Sequence, residues 1–173
     1  VNDPQYSQKI RILRAHGQEK KYTYKYLGWN SRLDEIQAAI LLPKLARIDK
    51  WNNQRGKIAD KYAKLLSKIS QVKVPAAQQS DLHIYHLYTI RAERRNELAD
   101  FLEKSGISTT INFPAPLHLQ EAYAPACAAK RGDLPNAEEL CEESLSLPMF
   151  VGMKDAQIKY VCKRIGEFYK KNS

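Results

Sequence analysis

The chain has 173 residues, 43% of them hydrophobic and 27% charged, with a formal net charge of +9. That is enough length for one ordinary domain with a real core, and the composition is that of a soluble globular protein. No apolar run approaches the roughly 20 residues of a membrane span, and Cys127, Cys141 and Cys162, odd in number, far apart and without a CxxC, fit free thiols in a reducing cytoplasm rather than a disulfide framework or a metal site. The basic excess invites a nucleic-acid reading. Yet Arg11 and Arg14, Lys20, Lys21 and Lys25, Lys57, Lys61 and Lys64, and Lys170 and Lys171 lie on separate segments, with no zinc-finger spacing or aromatic-basic signature. They read as solvated surface with some attraction for anionic ligands. The opening Val1-Asn2-Asp3-Pro4 has neither Met nor a signal-peptide pattern and reads as a cut end.

In chain order, Asp3 to Ala15 reads as a helix. Asp3 is its N-cap with Pro4 at the first helical position, Tyr6, Ile10 and Leu13 give an apolar stripe, and Gly17 ends it. Gln18 to Asn30 is a polar loop carrying Tyr22, Tyr24 and Tyr26, either an interface patch or local packing. A long helical pattern runs from Arg32 to about Ser67, with Pro43 expected to kink or divide it near Leu41. Val72 to Val74 is a short strand, Ala76 to Asp81 a polar connection, and Ile84 to Arg91 a strand rich in β-branched and aromatic residues. Arg94 to Lys104 is a helix with Leu98, Phe101 and Leu102 inward, and Ile107 to Phe113 another strand, which makes a compact α/β unit. Pro114 and Pro116 force an extended segment. Asn136 to Leu145 and Asp155 to Lys170 are helices, the second clearly amphipathic.

The most informative stretch is Gly28-Trp29-Asn30-Ser31-Arg32-Leu33-Asp34-Glu35-Ile36-Gln37-Ala38-Ala39-Ile40-Leu41. Ser31 is placed to cap a helix, with Asp34 and Glu35 in its first turn against the helix dipole. Asn30 then sits beside free backbone N–H groups, where a phosphate or carboxylate binds; the plainer alternative is a loop Asn in a local turn.

Six segments in order, Lys9 to Gly17, Gly28 to Leu41, Leu45 to Arg55, Tyr85 to Arg91, Pro114 to Gln120 and Leu145 to Phe150, give the chain a resemblance to the DegT/DnrJ/EryC1/StrS family of sugar aminotransferases. The resemblance covers essentially all of the chain. It implies an α/β fold, the C-terminal part of a fold-type-I transferase that uses pyridoxal phosphate (PLP). Residues 1–31 would be a remnant of the large cofactor domain with a dimer-facing loop. Residues 32–67 would be a long interdomain helix kinked near Pro43, and residues 68–173 a small α/β domain whose short sheet is flanked by helices. The parent enzyme would be a cytoplasmic homodimer moving an amino group from an amino acid, usually glutamate, to a keto-sugar nucleotide. In the family the Schiff-base lysine lies upstream of the segment matching Val1, so the chain supplies no catalytic lysine and is expected to be inactive alone. Asn30 matches the family Asn that reaches the phosphate of the partner subunit's PLP.

Arg32 either touches that site or pairs with Asp34 or Glu35. Asn112 and Phe113 match a loop that faces the sugar in the family, where many members carry His at the position of Asn112. His118 follows in the same loop, as a phosphate ligand or a structural histidine. His83 and His86, an i, i+3 pair on a strand, point to opposite faces and give no metal site. Glu138, Glu139, Glu142 and Glu143 read as a solvated helix face without a paired acid/base role. Two other readings stand beside the enzyme: a non-catalytic dimerisation or structural fragment, and a basic nucleic-acid-binding module, which would show salt-sensitive RNA binding.

Overall fold

In the computed structural model, which describes residues 1–76, 83–123 and 125–171, the chain divides into two units, Val1–Ile48 and Asp49–Ser173. The first begins with helix α1 (Pro4–Leu13). Its start is dictated locally: the Asp3 carboxylate accepts from the Gln5 and Tyr6 backbone N–H groups at 2.7 and 3.3 Å, satisfying donors that a helix cannot pair internally. Tyr6 and Ile10, expected to face a core, are exposed. The following segment, expected to be a loop without structure, forms a hairpin of β1 (Gln18–Lys20) and β2 (Thr23–Tyr24). This two-stranded sheet is separate from the sheet of the second unit.

Helix α2 (Glu35–Leu45) starts three residues later than the sequence suggests. Asp34, not Ser31, is its N-cap, and the Gln37 side chain accepts from the Asp34 N–H at 3.3 Å, half of a capping box. The break expected near Leu41 falls at Ala46 and Arg47 instead. Pro43 costs one donor, but its own φ is helical, so the helix passes through it and closes one turn later. There Arg47 N–H bonds back to Lys44 O at 3.0 Å, an i→i−3 contact. Within Val1–Ile48 only Gly17 is buried.

The second unit holds the core. Helix α3 (Ile48–Leu66) buries Ile58, Ala59, Tyr62 and Leu66, and α6 (Asp155–Lys171) buries Ile158, Val161, Cys162, Ile165, Phe168 and Tyr169, each set along one helical face. Strands β3 (Val72–Lys73), β4 (Tyr88–Ala92) and β5 (Ser144–Leu147) form an antiparallel sheet in the order β3-β4-β5. Tyr88, Ile90, Leu145 and Leu147 turn into the core with Leu98 and Leu102 of α4 (Arg95–Lys104). Fully burying one such side chain is worth about 1.5–3 kcal/mol, so the stability of the described chain comes from this unit. The Tyr62 ring stacks on Tyr88 at 5.0 Å, and its hydroxyl donates to Pro148 O at 3.0 Å.

Three strand expectations are corrected. Ile84 to Arg91 is a strand only from Tyr88, because Tyr85 is left-handed at φ 46° and the Arg55 guanidinium takes the Tyr85 and His86 carbonyls at 3.1 and 3.0 Å. Ile107 to Phe113 is reduced to one bridge, Thr110 to Ser146; Pro114 just beyond has no N–H to extend a ladder. Conversely, the helix expected to reach Leu145 stops at Glu143 as α5 (Pro135–Glu143), and Ser144–Leu147 pairs with β4. Buried Arg95 donates to the Cys141 and Ser144 carbonyls at 3.0 and 2.9 Å, satisfying the end of α5. Of the connection expected over Ala76 to Asp81, residues 77–81 lie outside the described residues.

Candidate functional site

The loop bearing Asn30 is built by backbone pairing. Residues 28–31 run antiparallel to residues 13–16: Trp29 N–H bonds Leu13 O at 2.8 Å, His16 N–H bonds Trp29 O at 2.9 Å, and Ser31 N–H bonds Arg14 O at 2.8 Å, with a bridge between Ala15 and Asn30. Two glycines permit this approach. Gly17 is at φ +77°, and a Cβ on Gly28 would lie 2.2 Å from Gly17 N and 2.6 Å from Leu13 O. No other residue fits at position 28, because every obstructing atom is main chain.

On this scaffold Asn30 and Arg32 stand side by side and exposed, with Arg32 Nε donating to Asn30 Oδ1 at 3.1 Å. The hydrogen bond engages the Asn30 amide oxygen, so what the amide can offer an anion is its N–H groups. Arg32 thus bonds Asn30 and not Asp34 or Glu35. Because α2 begins at Glu35 with Asp34 as its N-cap, the helix-terminal N–H cluster expected beside Asn30 is four residues further on. An anion here would be held by side chains rather than by a helix end.

In the second unit Asn112 Nδ2 donates to Ser146 Oγ at 2.9 Å, and Ser146 Oγ lies 2.8 Å from Thr89 Oγ1. Phe113 is exposed at the mouth of an apolar cleft of about 630 Å³, which His118 also lines together with Leu117, Leu134 and Leu140. His118 is buried, its Nε2 3.1 Å from Glu138 Oε1, and the same oxygen accepts from Gly132 N–H at 2.8 Å. The Gly132 N–H first, and His118 after it, hold the Glu138 carboxyl below its ordinary range. His118 therefore ties the turn at 117–119 to α5.

Of the α5 glutamates, expected to form a solvated face, Glu139 and Glu142 are exposed and Glu138 and Glu143 half-buried. Glu138 meets His118, Glu139 and Glu143 meet Arg91, with Arg91 Nε 2.7 Å from Glu143, and Glu142 lies 3.7 Å from Arg131. The structure thus joins Asn30 to Arg32, places Phe113 and His118 on one cleft, and fastens Asn112 to the sheet. Thr89 lies in the strand expected over Ile84 to Arg91, but no motif singles it out; for Ser146 the signal is the Ser-Leu-Ser-Leu alternation at 144–147, which the helix expected to end at Leu145 divides. Cys162 is inert by burial, which pushes its thiol up to about 12. His83 Nδ1 accepts from the Tyr85 N–H at 3.0 Å, and among the described residues no three His, Cys, Asp or Glu converge. Among the same residues no helix is long and apolar enough to cross a membrane.

The sequence profile of the DegT/DnrJ/EryC1/StrS aminotransferase family matches residues 1–166. A "pleiotropic regulatory protein" of Geobacillus stearothermophilus is 45% identical over 172 residues, covering 98% of this chain and 46% of that protein. A dTDP-3-amino-3,4,6-trideoxy-alpha-D-glucose transaminase of Streptomyces venezuelae is 37% identical over 168 residues, covering 97% of this chain and 44% of that protein. The X-ray structure of DesV from S. venezuelae superposes with a TM-score of 0.90 at 37% identity, over 97% of this chain and 45% of DesV. The chain spans about half the length of the relatives it matches.

Proposed function

This chain belongs to the DegT/DnrJ/EryC1/StrS aminotransferase family, and from that premise we propose that it is the C-terminal part of a PLP-dependent enzyme that moves an amino group from an amino acid, glutamate first among candidates, to a keto-sugar nucleotide. In this reading residues 1–31 close the large cofactor domain, 32–67 connect, and 68–173 form the small domain. The enzyme works in the cytoplasm as a homodimer, and nucleic acid and membrane are not among its partners. PLP, when bound, supplies the electron sink that lets an amino group and a proton be exchanged between two carbon skeletons. The amine that holds it comes from outside these residues.

The observation that carries the reading is the Asn30–Arg32 pair, two donors fixed side by side on a loop that two glycines lock to α1. Their chemistry fits a phosphate: the guanidinium supplies charge, the amide supplies a directed N–H, and among the described residues no carboxylate is bonded to either. In the dimer this pair holds the phosphate of the partner subunit's cofactor. Support for the dimer comes from the first unit itself, which buries no hydrophobic side chain while Leu27 is 97% and Trp29 68% exposed; surface of that kind is normally covered by protein. Asn112, held to the sheet, and Phe113, on the second-unit cleft, face the sugar. His118, buried against Glu138, acts there by shaping the wall.

The test is amino transfer by the full-length protein. With PLP and glutamate, a panel of keto-sugar nucleotides should include one that is converted to the amino sugar, seen as exchange of oxygen for an amine by mass spectrometry. A full-length protein that retains PLP yet aminates none of the panel refutes the sugar assignment. One that retains no PLP refutes the transaminase.

A further inference from the structure

The polar face of the sheet carries a short chain of side-chain hydrogen bonds that the proposed function does not use. Thr89 of β4 stands opposite Ser146 of β5, and Thr110 is bridged to Ser146 from the other side by two backbone bonds of 3.1 and 2.9 Å. Residues paired across strands share a face, and so does a residue two further along. Thr89, Ser146 and Asn112 are therefore aligned, and their side chains are joined at 2.8 and 2.9 Å. Ser146 is 4% exposed, so it cannot meet a ligand itself. Asn112, at the end of the row, is exposed.

Resting on the functional reading above, we infer that Ser146 is a positioning residue for sugar recognition: it fixes the Asn112 amide so that the carbonyl oxygen and the remaining N–H of Asn112 face the sugar. An exposed primary amide turns over readily, because its two ends differ only in hydrogen bonding. One N–H given to a buried hydroxyl, which is itself tied to Thr89, removes that freedom. What remains is one acceptor and one donor side by side. Such a pair complements a neutral group that both gives and takes, a ring hydroxyl or an acetamido group. An acceptor-only phosphate matches half of it. Phe113, next in the chain and 62% exposed, lines the apolar cleft of this unit. The two donors at Asn30 and Arg32 and the donor–acceptor pair at Asn112 thus divide the labour, one suited to an anion and the other to a neutral sugar substituent.

The experiment uses the full-length protein and calorimetric binding of nucleotide sugars that differ by one hydroxyl or by hydroxyl against acetamido. Ser146→Ala should weaken binding about three- to tenfold, the worth of one neutral hydrogen bond, with PLP retention unchanged. Ser146→Thr, which keeps the hydroxyl, should restore affinity. Once Asn112→Ala is in place, Ser146→Ala should have no further effect. The analogue that lacks the group meeting Asn112 should be indifferent to Ser146→Ala, which tells hydroxyl from acetamido. Thr89→Val, a milder change in the same row, should weaken binding about twofold and carries the test if Ser146→Ala does not fold. Unchanged affinity in both variants, or effects of Ser146→Ala and Asn112→Ala that simply add, overturns the inference and leaves the functional reading intact. Wild-type protein that binds no nucleotide sugar overturns both.

Discussion

Gly28→Ala probes the scaffold of the anion pair most directly. The added Cβ would lie 2.2 Å from Gly17 N, 2.6 Å from His16 C and 2.6 Å from Leu13 O. Ordinary contact begins near 3.4 Å, so the two segments must separate by about an ångström, and no flexible side chain is available to yield instead. Three inter-segment bonds span that gap, from Trp29, His16 and Ser31 N–H at 2.8, 2.9 and 2.8 Å. At about 1 kcal/mol net each, their loss is worth up to about 3 kcal/mol of local stability. Hydrogen exchange in the 173-residue chain should therefore show the amides of His16, Trp29 and Ser31 losing up to about a hundredfold in protection, while those of α6 keep theirs. In the full-length protein the same change should loosen PLP without touching the catalytic lysine. Wild-type protection at the three amides in the variant would refute the claim that a glycine contact holds this loop.

Other outcomes follow from single sites. Asn30→Ala in the full-length protein should weaken cofactor retention about ten- to a hundredfold, from one charge-assisted bond of roughly 1.5–3 kcal/mol. Because a phosphate contact holds ground and transition states alike, kcat at saturating PLP should stay near wild type; equal retention in a PLP titration would reduce Asn30 to a loop residue. The 173-residue chain alone should bind PLP only as nonspecific imines on surface lysines, and a stoichiometric, saturable absorbance change would refute the proposal that the catalytic lysine lies outside these residues. Gly56→Ala, inside α3 where an added Cβ meets nothing within 4 Å, should raise stability by about 0.5–1 kcal/mol in thermal melts; a lower melting temperature would show that the site is not open. The Glu138 carboxyl is held below its ordinary 4.5, first by Gly132 N–H and then by His118. Its contribution is complete above that value and lost as pH falls through the depressed one. The melting-temperature gap between wild type and Glu138→Gln should accordingly close on acidification, and a gap independent of pH would exclude the carboxylate as its source.

What the sequence determined by itself is what is encoded within a turn or two of chain. Asp3 and Pro4 set the start of α1, the spacing of Ile158, Val161, Cys162 and Ile165 sets the buried face of α6, and Leu98 and Leu102 set that of α4. The family, too, was legible, since six short segments in order need no contacts to be read. Tertiary structure decided the rest, because the deciding partner was distant. Ser144–Leu147 is four residues long and becomes a strand only because β4 offers a ladder more than fifty positions away. Ile84 to Leu87 leaves strand geometry because Arg55, some thirty residues earlier, takes its carbonyls. The helix start moved from Ser31 to Asp34 because residues 28–31 are committed to pairing with residues 13–16. The same holds at the candidate site. Asn30, Arg32, Asn112, Phe113 and His118 were nameable from motif, but their surroundings were not. His118 meets a glutamate 20 positions on, and Asn112 meets a serine 34 positions on. Local propensity carries no information about such pairs; they exist because burial of Leu145 and Leu147 brings Ser146 to the one place where Thr89 and Asn112 can both reach it.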